Sequence, residues 1–167
     1  RFNRYAGWAH ATQEHREIGH GAFAIERDLQ ADLAMLRLNV LALVHLTGLF
    51  LPGMVERGRG AVLNVASTAA FQPIPGQAGY AASKAFVLSY SQAVRTELHG
   101  TGVTLTVLCP GPVDTPLIRD SAAAFPDPEQ AVAAVAERTL MKRLGQPEDV
   151  AKAALFLASS DSAWMTG

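Results

Sequence analysis

Residues 60–84 read Gly-Ala-Val-Leu-Asn-Val-Ala-Ser-Thr-Ala-Ala-Phe-Gln-Pro-Ile-Pro-Gly-Gln-Ala-Gly-Tyr-Ala-Ala-Ser-Lys. The opening Ala61–Ala66 is short and largely apolar, and it follows the turn signal Arg57-Gly58-Arg59-Gly60. That combination predicts a strand buried on both faces. Ser67–Gly79 is rich in small residues and prolines and predicts a loop. Residues 79–99 predict a helix carrying Ala81, Ala82, Ala85, Leu88, Ala93 and Val94, with Gly100 and Gly102 as its stop.

The pattern continues on both sides. Downstream, Val103–Leu108 alternates with threonines and predicts a second strand, which Pro110-Gly111-Pro112 ends. A loop with Asp114 and Pro116 follows. Asp127-Pro128 sets a cap and a first helical position, so a helix is expected at about 128–140. Pro147-Glu148-Asp149 starts another at about 147–159, its acids suited to the amino-end dipole. Upstream, Leu29, Leu33, Leu36, Val40, Leu43 and Thr47 recur every three or four residues. They predict a helix at about 26–56, which Pro52 would kink or end early. Helix, strand, helix, strand, helix, helix implies an α/β chain with a parallel sheet. Arg1–Phe23 is polar, carries His10, His15 and His20, and lacks strand-like alternation. The expected organisation is an irregular segment at 1–24 and one domain at 25–167.

Composition narrows the function. The chain has 167 residues, 49% hydrophobic and 17% charged, with net charge -1. This fits one domain with a substantial core and is too apolar for disorder. The balance of 14 basic and 15 acidic residues argues against a nucleic-acid partner. The single cysteine, Cys109, excludes an internal disulfide or a cysteine-rich zinc site and fits a reducing, cytoplasmic setting. The longest apolar run, Val40–Pro52, contains His45 and is too short to span a bilayer. No signal peptide is legible, so no membrane partner is expected. A start at Arg1 rather than Met suggests a fragment, a processed product or an edited chain.

The sharpest chemical signal is Tyr80-Ala81-Ala82-Ser83-Lys84. Residues four apart share a helix face. A phenol of pKa near 10 is a poor acid at neutral pH, and a nearby ammonium stabilises its phenolate. Such a pair suits proton exchange with a carbonyl or alcohol oxygen. Alone, it is more often a solvated surface pair. Ser67 and the loop Pro110–Thr115 stand at the carboxyl ends of the two strands, the rim where open α/β sheets bind ligands. A serine hydrolase reading fails, because Asn64-Val65-Ala66-Ser67-Thr68 lacks the Gly-x-Ser-x-Gly elbow. The three early histidines, five apart, do not share a helix face and make a poor metal set. Cys109 reads as a buried small side chain, Trp164 and Met165 as packing residues, Arg95 and Glu97 as a solvated face, and Asp114 as a turn stabiliser.

Taken together, Leu38-Asn39-Val40, Asn64-Val65-Ala66-Ser67, Tyr80-x-x-x-Lys84, Pro110-Gly111-Pro112-Val113-Asp114-Thr115 and Gly145-Gln146-Pro147-Glu148-Asp149-Val150-Ala151 resemble the short-chain dehydrogenase/reductase family. The resemblance covers residues 25–167 and follows the family's order and spacing, as the carboxyl-terminal portion of a truncated member. It implies a partial Rossmann-like, doubly wound parallel sheet with flanking helices, its amino-terminal strands missing. It also implies NAD or NADP as cofactor and a carbonyl or alcohol substrate. Tyr80 would be the general acid/base, Lys84 its tuning group and a ribose ligand, and Ser67 the group polarising the substrate oxygen. Asn39 would hold a relay water through its main chain. Val113 and Thr115 would bind the nicotinamide carboxamide in a pocket shaped by Pro110 and Gly111. The family's Gly-x-x-x-Gly-x-Gly turn and its Asn-Asn-Ala-Gly segment are not found, and the NAD/NADP choice goes with them. Residues 116–145 match its substrate lid, and Leu117, Ile118 and Phe125 suit an apolar substrate. The resemblance also implies a homo-oligomer through the helices at about 26–56 and 79–99. The competing expectation is an inactive remnant that only binds a partner.

Overall fold

The computed structural model describes residues 28–123, 125–162 and 164–165. The segment 1–24 and its histidines lie outside these. The described chain opens with helix α1, Leu29–Glu56. Asp28 caps it, its carboxylate accepting the Gln30 N–H at 2.8 Å. Pro52 neither breaks nor shortens it; the helix runs on to Glu56. One stretch, Arg37–Leu41, is a π turn in which the Ala42 N–H donates to the Arg37 carbonyl. By length and apolarity α1 is long enough to cross a membrane, more than the run Val40–Pro52 implied. One side of it packs on the strand Gly60–Val65 and on the helix Ala78–Glu97.

Strand β1, Gly60–Val65, pairs in parallel with β2, Val103–Leu108, from Gly60 opposite Val103 to Val65 opposite Leu108. Helix α2, Ala78–Glu97, forms the crossover between them. The described sheet is therefore an α/β unit of two strands. Its core is Val94 and Leu98 from the end of α2 against Val103 and Leu105 of β2, with Leu51, Met54, Val62 and Tyr90 around it. Leu105 is buried while Val65 stands half exposed, so β1 is not buried on both faces as its composition suggested. The reason is positional: β1 has one neighbouring strand among the described residues, and a groove of about 520 Å³ opens between it and α1.

Tight turns carry the chain between these layers. Gly102 has φ +77°, and a Cβ there would collide with the Gly58 carbonyl oxygen. Only glycine tolerates both constraints, which fixes the turn entering β2 beside the turn entering β1. Gly79 admits α1 against α2; a Cβ there would lie 3.1 Å from Met35 Cε.

Among the described residues three α-helices follow β2. The loop after Pro112 holds a short helix α3, Pro116–Ala122, which the sequence did not announce. Helix α4, Pro128–Glu137, starts where Asp127 accepts the Gln130 N–H at 2.9 Å. It ends three residues earlier than expected. Helix α5, Pro147–Ala158, packs against β1. Trp164 is 95% exposed and Met165 is exposed too, so neither is a packing residue here. No described element reaches over them.

Candidate active site

The site is built at the carboxyl end of the sheet. Each strand ends by turning outward, and hydrogen bonds tie the two exits together. Ala66 N–H donates to the Leu108 carbonyl at 2.8 Å, and Thr68 N–H to the Pro110 carbonyl at 2.9 Å. Ser67, between them, has extended backbone, and its Oγ accepts the Ala69 N–H at 3.1 Å. That contact starts a 3₁₀ turn, Thr68–Phe71, which packs against α2. The expected loop at Ser67–Gly79 is therefore partly structured. Ser67 and the Pro110 loop share one rim.

Tyr80 and Lys84 lie one turn apart near the start of α2. The Lys84 ammonium sits 5.8 Å from the centre of the Tyr80 ring. It also donates to the Val65 carbonyl at 3.2 Å, the last residue of β1. This bond brings the Tyr80–Lys84 face to the strand end that leads into Ser67. Partial burial lowers the Lys84 pKa from its ordinary value, because removing water penalises the charged form.

Asn39 stands in the π turn of α1, and it lines the same groove as Lys84. Its side-chain amide donates to Ser83 Oγ at 3.0 Å. Ser83 Oγ in turn donates to the Tyr80 carbonyl at 2.7 Å. Ser83 is 1% exposed. It was not singled out in the sequence, although Ser83, Val87, Ser91 and Val94 recur at helical spacing and form the buried stripe of α2. Ala82 and Ala93 face outward instead. A small polar residue inside an apolar stripe was the available signal.

The second strand end is held from outside. Val113 forms a parallel bridge with Gly145. Asp114 N–H donates to the Gly145 carbonyl at 2.8 Å, and Gly145 N–H to the Pro112 carbonyl at 2.9 Å. In that pattern the Val113 N–H itself points away from the 143–146 segment. Gly111 is exposed, with open space where a Cβ would stand. Thr115 caps α3, and its Oγ1 lies 3.4 Å from the Val113 carbonyl. Asp114 stabilises the turn as expected: Arg119 grips its carboxylate with two bonds of 2.9 and 2.8 Å. Arg143 makes a second clip, donating to Asp149 Oδ2 at 3.0 Å and to the Leu144 carbonyl at 2.9 Å. The Asp149 carboxylate also accepts the Gln146 N–H, and these bonds hold its pKa below the ordinary value. Cys109 is half buried beside this rim. Among the described residues no cluster of histidine, cysteine and carboxylate is suited to a metal ion.

Residues 11–167 match the family profile described as enoyl-(acyl carrier protein) reductase. A 2-keto-3-deoxy-L-fuconate dehydrogenase from Xanthomonas campestris pv. campestris is 36% identical over 132 residues, covering 78% of this chain and 44% of that protein. A 3-oxoacyl-(acyl-carrier-protein) reductase from Thermotoga maritima is 33% identical over 134 residues, covering 80% of this chain and 52% of that one. Among solved structures, a putative NAD(P)-dependent gluconate 5-dehydrogenase from Beutenbergia cavernae, with NADP bound at low occupancy, superposes with a TM-score of 0.78 at 31% identity. That match covers 89% of this chain and 58% of the other. The chain thus spans about half the length of the relatives it matches. A serine at one strand end, a Tyr-x-x-x-Lys helix crossing over, a Pro-Gly turn at the next strand end and a profile match over nearly all residues agree, and the chain belongs to the short-chain dehydrogenase/reductase family.

Proposed function

We propose that this chain carries the proton-transfer site of an NAD(P)-dependent oxidoreductase acting on a carbonyl or alcohol. The observation that carries the reading is the placement of Lys84, bonded to the end of β1 while standing 5.8 Å from the Tyr80 ring centre. A solvated surface pair would not be tied to a strand end. The names of the relatives, oxidoreductases all three, support the reaction class.

The donor set at the rim suits the nicotinamide end of such a cofactor. Val113 N–H, which points away from its bridge, and the Thr115 hydroxyl suit a carboxamide, with Pro110 and Gly111 leaving the approach open. The Lys84 ammonium suits a ribose hydroxyl. The Gly-x-x-x-Gly-x-Gly turn that would cradle the pyrophosphate is not in these 167 residues. Held at this rim, a nicotinamide would supply the hydride-transfer chemistry at the substrate carbon.

The chain's own residues handle the proton. Tyr80 Oη gives its proton to the substrate oxygen in reduction and takes it back in oxidation. Lys84 stabilises the phenolate that reduction leaves. Asn39 holds a water through its main chain, and that water relays the replacement proton to Lys84. Ser67 Oγ hydrogen-bonds the substrate oxygen. Leu117 and Ile118 make the approach apolar and favour a hydrophobic ketone or alcohol. A homo-oligomer through α1 and α2 belongs to the same proposal, supported by the exposed Leu41 and Leu49 on α1.

Tyr80→Phe tests the reading. Turnover, followed as reduced-nicotinamide absorbance with a panel of secondary alcohols, should fall by about 10²–10⁴-fold, the usual contribution of a general acid/base. Dinucleotide binding should stay within a few-fold of the parent. Normal turnover in the variant removes Tyr80 from the mechanism. A second reading, a partner-binding domain without catalysis, is favoured by the exposed apolar side of α1. It predicts no dinucleotide binding and a stable complex through α1.

A further inference from the structure

The Tyr80–Lys84 pair and the π turn of α1 are two separate pieces of backbone, 37–41 and 78–97. Their registration decides where the Asn39 main chain stands relative to the Tyr80 ring. A buried hydroxyl, that of Ser83, hydrogen-bonds toward both. Ser83 Oγ accepts from Asn39 Nδ2 at 3.0 Å and donates to the Tyr80 carbonyl at 2.7 Å. The serine end of both bonds is shielded, since Ser83 is 1% exposed. Buried hydrogen bonds of this kind are directional and costly to leave half made. The π turn adds a reason for a tie. Extra-residue turns inside helices are uncommon and cluster at functional sites. Here the turn sets the Asn39 amide facing α2, where the serine meets it.

We infer that Ser83 is a positioning residue. Its hydroxyl locks the π turn of α1 to the backbone of Tyr80 and so fixes Tyr80 and Asn39 relative to each other. The inference rests on the proposed role of Tyr80 for its consequence but not for its geometry. Ser91 offers an internal control. It is a second fully buried serine on the same helix, bonded to Asn64 Nδ2 at 2.9 Å, two turns further from Tyr80. Losing Ser91 removes a comparable buried bond and leaves the Asn39–Ser83–Tyr80 chain in place.

The test reads Tyr80 directly. The 167-residue chain contains three tyrosines, Tyr5, Tyr80 and Tyr90. With Tyr5→Phe and Tyr90→Phe and 3-fluorotyrosine incorporated, the remaining fluorine resonance reports the surroundings of the Tyr80 ring. Ser83→Ala should move or broaden that resonance, and Asn39→Ala should move it in the same way. Ser83→Thr, which keeps the hydroxyl, should restore it. Ser91→Ala should lower stability while leaving the resonance in place. If Ser83→Ala fails to fold, Asn39→Ala and Ser83→Thr still decide the matter from the other end of the bond. An unmoved resonance in Ser83→Ala or Asn39→Ala, or an equal movement in Ser91→Ala, overturns the inference. Where turnover is measurable, Ser83→Ala should lose on the order of tenfold to a hundredfold in kcat with KM nearly unchanged, as misplacement of a reacting group does. A fluorine shift alongside an active Tyr80→Phe would separate the two claims: the tie stands and the proposed catalytic role falls.

Discussion

A lysine ammonium drawn into a half-buried position costs solvation, and at Lys84 that cost is set against one carbonyl and one aromatic ring. The depressed pKa has a consequence for stability. Below the folded-state pKa the lysine is charged in both states, and folding carries the desolvation penalty. As pH rises from the folded value toward the ordinary 10.5, the folded state releases its proton first and the penalty is relieved. Stability relative to Lys84→Met should therefore increase with pH across that window. Denaturant midpoints of the two proteins, compared at neutral and at alkaline pH, check this. A parent stability, relative to Lys84→Met, that falls or stays level on the alkaline side would count against the buried position. Tyr80 and Lys84 were readable from their spacing because i and i+4 must share a face. Ser83 was not, because nothing in a lone serine announces which helix it will meet.

Helix boundaries follow the same logic one level up. The aspartate-proline start of α4 was legible, since the capping oxygen and the fixed proline φ act locally. Asp127→Ala should lower stability by about 1 kcal/mol, measured by thermal or chemical unfolding. The π turn was not legible: shifting one hydrogen bond from the fourth to the fifth residue leaves no trace in apolar periodicity. The start of α5 depends on charge. Asp149 accepts the Gln146 N–H and meets Arg143, and both favour its ionised form. Its contribution is therefore present above the ordinary carboxylate pKa and is lost as pH falls through the lower folded value. Asp149→Asn should be destabilising at neutral pH and nearly silent in strong acid, where the parent carboxylate is protonated too. A stability gap independent of pH would refute the clip. The turn at Gly102 makes a steeper demand. Gly102→Ala must resolve a backbone collision at φ +77°, and a loss of at least about 2 kcal/mol is expected in the same unfolding assay.

At the scale of the molecule, the open side of β1 and the outer side of α1 are the features that composition could not place. Periodicity identified the inward stripe of α1 from Leu33 to Thr47, though Leu29 stands exposed, and apolar residues continue around the helix. Leu38 is 73% exposed, and Leu41 and Leu49 stand out beside it. Leu41 and Leu49, eight residues apart, share one side of the helix and mark a second stripe rather than scatter. A helix apolar on both sides is covered on both sides in its working state. Leu38 looks into the groove beside β1, whereas Leu41 and Leu49 do not line it. The groove side is open beside β1, and the proposed contact between copies falls on the other side. This separation makes the oligomer proposal testable without touching the site. Leu41→Glu/Leu49→Glu should leave the fold intact, since both side chains are already exposed, and should lower the molar mass found by sedimentation equilibrium to that of a single chain. A parent protein that is already monomeric, or a double variant of unchanged mass, would move the interface elsewhere and leave the outer stripe of α1 to another occupant.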